Sequence, residues 1–304
     1  MLNRFKFDYY FIFEVLYNLI KLSAKPASII YPYPIAALLA FSVSSDLNVL
    51  SLIKAVVFSS TFYAGVNLWN HVNDLEEDIK GGKKTVITEN SEYQSNFAYL
   101  PAGLYSASIL LAFFWSVEII GFVAFFAAAS VTWIYSDRIL FGKKIRRWKD
   151  HYLTETLSFV VFFPCFFIML WTIYTSISLK GIGFSLMLTF FMLSGSVLKD
   201  IRDITGDKLA GLKTLGVVFL PENLLKTSFL LISIYYFSIL LLAIQNILPS
   251  QTILSTIFFA GIVYNIKHFV ANNWNITLES RKPLTIMYYS NLGSLLALII
   301  LGLI

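Results

Sequence analysis

The sequence predicts an all-α integral membrane protein with about nine transmembrane helices. Of the 304 residues, 57% are hydrophobic and only 13% are charged, whereas about a quarter of the residues in a soluble domain are charged. The mean hydropathy is +0.71, and apolar runs recur at lengths close to the roughly 20 residues that a helix needs to cross a bilayer. Because a lone segment in hydrocarbon must satisfy its own backbone hydrogen bonds, each run is predicted to be helical.

The N-terminal stretch differs from the apolar runs that follow it. It places Arg4, Lys6, Lys21 and Lys25 around the apolar sequence FDYYFIFEVLYNLI and lacks the small-x-small pattern of a signal-peptide cleavage site. We therefore expect a helix lying along the membrane interface at about residues 5–22. The predicted spans then follow at roughly 27–44, 52–73, 97–115, 117–136, 152–175, 181–199, 223–247, 251–270 and 284–304.

The distribution of basic residues predicts the orientation of these spans. With nine spans, the N-terminus and the loops after spans 2, 4, 6 and 8 share one side of the membrane. All Lys and Arg residues except Lys54 and Lys180 fall on that side. Because Lys and Arg in short loops stay in the cytoplasm, the N-terminus and these loops are predicted to be cytoplasmic.

Two polar segments at the ends of spans 2 and 6 share a pattern. NHVNDLEEDIKGGKKT at 70–85 and KDIRDITGDKLAGLKT at 199–214 both contain Asp-x3-Asp-x3-Gly-x-Lys-Thr. The matched residues are Asp74, Asp78, Gly82, Lys84 and Thr85 in the first segment, and Asp203, Asp207, Gly211, Lys213 and Thr214 in the second. We call these the first and second aspartate segments. The repeat predicts one transmembrane domain over 1–304, built from parallel modules at about 26–136 and 152–270, with span 9 added.

The residue types in both segments favour a magnesium site. On a helix, Asn70, Asp74 and Asp78 share one face, and so do Asp200, Asp203 and Asp207. If the two faces are opposed, the carboxylates need cations to offset their repulsion. Hard oxygen ligands without His or Cys suit Mg²⁺, which often also binds substrate phosphate oxygens. Lys84 and Lys213 are predicted to add positive charge for the same phosphates.

The two motifs resemble those of the UbiA-type intramembrane prenyltransferase family. NxxxDxxxD ends span 2, and DxxDxxxD followed by GxKT ends span 6. The resemblance implies nine helices around a central cavity and transfer of an isoprenyl group from an isoprenyl diphosphate, with two Mg²⁺ ions bridging the diphosphate and the aspartates. It implies a site role for Tyr135 at the end of span 4, and diphosphate contacts for Lys25, Arg138 and Lys143.

The chain departs from the family pattern at two places. His71 stands where the family often has a second acidic residue, while Asp200 keeps a carboxylate at the repeat-equivalent position. His71 is therefore either a lost ligand or a phosphate contact. The family also places a lysine a few residues after the tyrosine, but here Tyr135 is followed by Ser-Asp-Arg, and the first lysines are Lys143 and Lys144.

The sequence leaves alternatives open for the acceptor and for the role of the basic loop. An aromatic quinone precursor is the predicted acceptor, and the alternative is a glycerol phosphate ether of archaeal lipids. Asp150 and Glu155 are candidates for holding it. The basic run at 142–149 is interpreted as an anchor for anionic lipid headgroups, with substrate phosphate as the alternative. A divalent-cation or anion transporter is the competing functional class, and no nucleic-acid partner is expected.

Overall fold

The structure is a computed structural model, and it describes residues 17–22, 32–44, 47–82, 84–140 and 146–304, apart from the side chain of Leu278. Residues 17–22 are helical, which is the part of the predicted interfacial helix that falls inside these ranges. Lys25, Lys143 and the beginning of the first predicted span lie outside the described residues.

Nine helices of 11 to 31 residues account for most of the described chain, and each overlaps one of the nine predicted spans. They are α1 Tyr33–Val43, α2 Val49–Asn73, α3 Tyr99–Trp115, α4 Ile119–Ser136, α5 Tyr152–Thr172, α6 Leu179–Leu209, α7 Pro221–Ile244, α8 Phe259–Ala271 and α9 Arg281–Gly302. A 3-10 helix, Ser250–Phe258, runs directly into α8. Counting it with α8, eight segments are long and apolar enough to cross a membrane, while α1 has 11 residues.

Short helices connect the long ones, mostly at the end of the bundle that carries the aspartate segments. The α-helical turns are Leu75–Lys80, Val86–Glu89, Gln94–Phe97 and Leu215–Val218, and the 3-10 turns are Ser91–Tyr93, Trp148–Asp150 and Leu278–Ser280. The described ranges contain no β-strand, only an isolated parallel bridge between His151 and Lys213. The all-α prediction is therefore confirmed.

An aromatic core joins α2, α4 and α5. Phe58 and Phe62 of α2 each meet Phe125 of α4 edge to face, at ring-centroid distances of 4.8 and 4.7 Å. Phe166 of α5 stacks against both α2 rings at 5.9 and 5.8 Å. Each such pair adds about 0.5–1.5 kcal/mol beyond the burial of its area. The core therefore fixes the relative positions of three helices that carry site residues.

The outer surface of the bundle is apolar, as a bilayer requires. Phe114, Ile119 and Leu230 are each more than half exposed, along with many other large hydrophobic side chains. A soluble monomer rarely exposes large contiguous apolar patches. The exposed apolar side chains and the eight apolar helices make this an integral, multi-pass membrane protein.

The two aspartate segments, although similar in sequence, have different backbones. The helix α2 ends at Asn73, and a new short helix begins after Asp74. In contrast, α6 is 31 residues long and carries the whole acidic stretch from Asp200 to Asp207 without a break. The prediction of two parallel modules remains a prediction.

Candidate active site

Both aspartate segments line one polar cavity of about 570 Å³ at the same end of the bundle, which is within the usual range for ligand sites. The predicted residues at its wall are Asn70, Asp74, Asp78, Tyr135, Asp200, Asp203 and Asp207. Further ionisable residues there are His71, Glu77, Lys149, Glu155, Lys199 and Arg202. The helices α2, α4, α5 and α6 and the α4–α5 loop all contribute to the wall.

The first aspartate segment is anchored to α4. Trp69 stacks on Trp133 with ring centroids 3.9 Å apart, and its indole N–H donates to the Trp133 carbonyl oxygen across 3.1 Å. One residue further on, the Asn70 amide oxygen accepts a hydrogen bond from the Ser136 hydroxyl. These contacts fix the end of α2 where the polar residues begin.

Asp78 and His71 form a pair at the cavity wall. The Nδ1 atom of His71 lies 3.6 Å from Oδ2 of Asp78, and the Asp78 side chain is almost fully buried. Asp78 lies in the short helix Leu75–Lys80, which begins directly after Asp74 at the end of α2. His71 therefore belongs to the site even though it departs from the family pattern.

The aspartates of the second segment differ in exposure. Asp200 is buried, and its Oδ2 atom has no hydrogen-bond partner. Asp207 accepts a hydrogen bond of 2.8 Å from the Thr214 hydroxyl. Asp203 is more exposed and lies near two cations, 3.6 Å from Lys199 Nζ and 3.3 Å from Arg202 Nε.

The basic α4–α5 loop, interpreted from the sequence as a lipid anchor with substrate phosphate as the alternative, reaches into the site through Arg147 and Lys149. The Arg147 side chain is 1% exposed and contacts Asp74, Glu77 and Asp150 at 3.1, 2.6 and 2.8 Å. Burial acts to lower the pKa of Arg147, but the charges of Asp74, Asp150 and Glu77 raise it, so the guanidinium stays charged. Lys149 Nζ lies 2.5 Å from Asp74 Oδ1 and lines the cavity.

Glu155 connects three parts of the site. It is buried near the start of α5, and its Oε1 accepts a hydrogen bond of 3.3 Å from the Tyr135 hydroxyl. Its Oε2 accepts the backbone N–H of Leu215 across 3.0 Å. Glu155 therefore links the end of α4 to the loop that follows the second aspartate segment.

Three cations predicted to hold the diphosphate lie elsewhere. Lys84 and Lys213 are exposed and are not among the residues of the cavity wall. Arg138 donates to Glu76 and Glu77 at 2.9 and 2.7 Å, outside the cavity. Diphosphate contacts for these three residues stay a prediction. The repeat matched these lysines by spacing, but the loops after the acidic stretches direct them to solvent.

A sequence model of the UbiA prenyltransferase family matches residues 29–292. The chain belongs to the UbiA prenyltransferase family. It is also 34% identical over 287 residues to a functionally uncharacterised protein of Archaeoglobus fulgidus, and the alignment covers 93% of this chain and 98% of that protein. Membership in this family makes the protein a prenyltransferase, which argues against the competing transporter hypothesis.

Two solved structures share the fold of this UbiA-family protein. One comes from a study of digeranylgeranylglyceryl phosphate synthase in membranes, with a TM-score of 0.69, 15% identity and coverage of 95% of this chain and 99% of that chain. The other is a UbiA homologue from Archaeoglobus fulgidus bound to GPP and Mg²⁺, with a TM-score of 0.62, 17% identity and coverage of 94% and 98%. At these identities the likeness shows the fold alone.

The donor set at the cavity of this UbiA-family protein fits Mg²⁺. The wall offers carboxylate and amide oxygens, and two buried carboxylate oxygens, Glu77 Oε2 and Asp200 Oδ2, have no hydrogen-bond partner. Unpaired buried oxygens of this kind are costly and need a cation or a donor. Within the described ranges no three His, Cys, Asp or Glu side chains form a ready-made metal cluster, which is expected of like charges that repel one another.

Sequence reasoning missed Arg147, Lys149 and the central place of Glu155 in this UbiA-family site. The α4–α5 loop contains six basic residues from Arg138 to Lys149, and nothing in their order shows which of them face inward. The spacing of Arg147 and Asp150, three residues apart, was the available signal, because the 3-10 turn there brings the two side chains together.

Proposed function

We propose that this protein catalyses the Mg²⁺-dependent transfer of an isoprenyl group from an isoprenyl diphosphate to an acceptor held in the membrane. The observation that supports it is the shared cavity, whose wall contains the acidic residues of both aspartate segments at one end of an apolar bundle. The UbiA homologue bound to GPP and Mg²⁺ is in keeping with this class of donor.

The proposed metal ligands are the predicted residues of both segments: Asn70, Asp74, Asp78, Asp200, Asp203 and Asp207. Two ions are proposed, one for each segment. When bound, Mg²⁺ supplies positive charge that binds the diphosphate and stabilises it as a leaving group. The unpartnered oxygen of Asp200 and the weakly paired carboxylate of Asp203 are suited to this role.

The protein's own cations provide further charge where the leaving group forms. As the allylic carbon–oxygen bond breaks, its electron pair goes to the diphosphate, and Lys149, Lys199 and Arg202 lie at the cavity wall to attract that charge. The acceptor nucleophile forms the new bond to the allylic carbon and then loses a proton. Tyr135, held by Glu155, presents its ring at the same wall, where an electron-rich face stabilises a neighbouring cation.

For the acceptor, an aromatic quinone precursor remains the proposal. A glycerol phosphate ether is the second candidate, because Lys149, Lys199 and Arg202 place three cationic groups at the cavity wall, where they can attract the acceptor's phosphate. Incubating the purified protein with geranylgeranyl diphosphate and each acceptor class, followed by mass spectrometry of the products, distinguishes the two. A product from the glycerol phosphate ether alone would rule out the quinone proposal.

The transfer itself is tested with Asp74→Asn and Asp203→Asn, which remove one charge from each segment while preserving side-chain shape. Both are expected to abolish Mg²⁺-dependent binding of radiolabelled geranyl diphosphate. Glu76→Gln is the matched control, since Glu76 is acidic, adjacent and outside the cavity. Wild-type binding in both Asn variants would contradict the shared site.

A further inference from the structure

The segment 146–152 connects the two halves of the site. On one side Arg147 binds Asp74 and Glu77 of the first aspartate segment. On the other side, the Lys213 N–H donates to the Asp150 carbonyl oxygen across 3.0 Å, and the Tyr152 N–H donates to the Lys213 carbonyl oxygen across 2.7 Å. The same short segment is therefore bonded to the first segment by charge and to the second by its main chain.

Arg147 binds one oxygen of each carboxylate that it contacts in the first segment. Its guanidinium meets Oδ1 of Asp74 and Oε1 of Glu77. The other Glu77 oxygen, Oε2, is buried without a hydrogen-bond partner, and Glu77 lines the cavity. The fixed planar fork of a guanidinium can hold two carboxylates in one orientation, which a flexible ammonium group cannot do.

Asp150 completes this arrangement. It pairs with Arg147 at 2.8 Å beside the same 3-10 turn, so a residue of its own segment also orients the guanidinium. The positive charge of the buried guanidinium also lowers the repulsion between Asp74 and Glu77. The guanidinium thus helps to keep both acidic side chains at the cavity wall.

We infer that Arg147 is a positioning residue, which orients Asp74 and Glu77 toward the metal-binding cavity and, through the Lys213 bridge, sets the spacing between the two aspartate segments. The inference rests on the proposed function. It also adds Glu77, through its free Oε2, to the oxygens that a metal ion at the first segment can use.

The opposite role for Arg147 would be that of a cation that Mg²⁺ must displace from Asp74. The two roles predict opposite effects of the same substitution. Removing a positioning residue weakens metal binding, whereas removing a competing cation strengthens it. Outer contacts that orient metal ligands typically contribute about 10- to 100-fold in affinity.

The test measures binding of inorganic diphosphate to the full chain in detergent by calorimetry, across a series of MgCl₂ concentrations. For Arg147→Gln, the half-saturating Mg²⁺ concentration is expected to rise by about 10- to 100-fold. Arg147→Lys, which keeps the charge, is expected to give an intermediate rise. Arg146→Gln is the matched control, because Arg146 is exposed and also contacts Asp150, at 4.0 Å. Its half-saturating concentration is expected to stay at the wild-type value.

An unchanged or lower half-saturating Mg²⁺ concentration in Arg147→Lys would overturn the inference. If Arg147→Gln fails to fold, as judged by gel filtration and thermal unfolding, the half-saturating Mg²⁺ concentration is measured for Arg147→Lys and Asp150→Asn instead. The proposed function fails separately, if the wild-type protein shows no Mg²⁺-dependent diphosphate binding. Normal wild-type binding with no effect in Arg147→Lys would contradict only the positioning role.

Discussion

The Thr214 hydroxyl donates a hydrogen bond of 2.8 Å to Oδ2 of Asp207 at the cavity wall. Its repeat partner Thr85 has a different role, since its side chain caps the short helix Val86–Glu89 by accepting the Thr88 backbone N–H. The repeated threonine therefore orients a carboxylate in the second segment and begins a helix in the first.

Loss of the Thr214 hydroxyl and loss of the Thr85 hydroxyl are expected to have different effects. Thr214→Ala is expected to reduce prenyl transfer about tenfold, or ~1.4 kcal/mol, because Asp207 loses the donor that orients it. Thr214→Ser keeps the hydroxyl and should retain most activity. In Thr85→Ala, loss of the cap should cost about 1 kcal/mol of stability with unchanged Mg²⁺ dependence. Equal losses of activity in both Ala variants would contradict the assigned roles.

The Tyr135–Glu155 hydrogen bond is expected to act as a unit. Tyr135→Phe removes the donor and Glu155→Gln removes the carboxylate, and each should lower turnover. Their effects should not add, with a coupling of about 1 kcal/mol in a double-mutant cycle on kcat/KM. Additive losses in the double variant would show that the two side chains act independently.

His71→Asp tests the position that departs from the family pattern. The imidazole lies 3.6 Å from Asp78, so an added carboxylate there increases the negative charge available to a metal. The half-saturating Mg²⁺ concentration for prenyl transfer is expected to fall, since affinity rises with the number of charged ligands. His71→Asn, which adds no charge, is the control. Unchanged Mg²⁺ dependence in His71→Asp would exclude the position as a ligand.

The backbone conformation explains why both aspartate segments have a glycine at the same position of the repeat. Gly82 and Gly211 have φ angles of 68° and 74°, a left-handed backbone that costs other residues about 1–2 kcal/mol. A Cβ at Gly211 would meet no atom within 4 Å, so Gly211→Ala should lower the thermal midpoint through backbone strain alone. Gly211→Asn should lower it less. Gly103→Ala, within α3, is the control and should be neutral or stabilising.

The predicted orientation of the protein in the membrane can be tested by cysteine labelling. In a Cys165→Ala background, Lys84→Cys and Ser250→Cys place thiols on exposed positions at opposite ends of the bundle. A membrane-impermeant maleimide should label Ser250→Cys in intact cells, and Lys84→Cys only after permeabilisation. The reverse pattern would show that the aspartate segments face the outside.

The spacing of polar residues in the sequence was enough to identify six residues of the cavity wall. Asn70, Asp74 and Asp78 repeat at helical spacing, and so do Asp200, Asp203 and Asp207, and all six line the cavity. Lys84 and Lys213, which were assigned by their position in the repeat, are exposed and do not line the cavity. A side chain at the end of a loop takes its direction from the path of the loop, which sequence spacing does not encode.

The sequence by itself determined that the chain lies in a bilayer, that its spans are helical and that two acidic segments end spans 2 and 6. Hydrophobic run length and residue spacing are local properties of the chain. Only the tertiary structure decided which cations complete the site. Arg147 reaches Asp74 and Glu77 because the α4–α5 segment is bonded to Lys213. Glu155 reaches both Tyr135 and Leu215 because α5 begins between α4 and the loop that follows α6. Such contacts join residues far apart in the chain, and they exist only once the helices have packed.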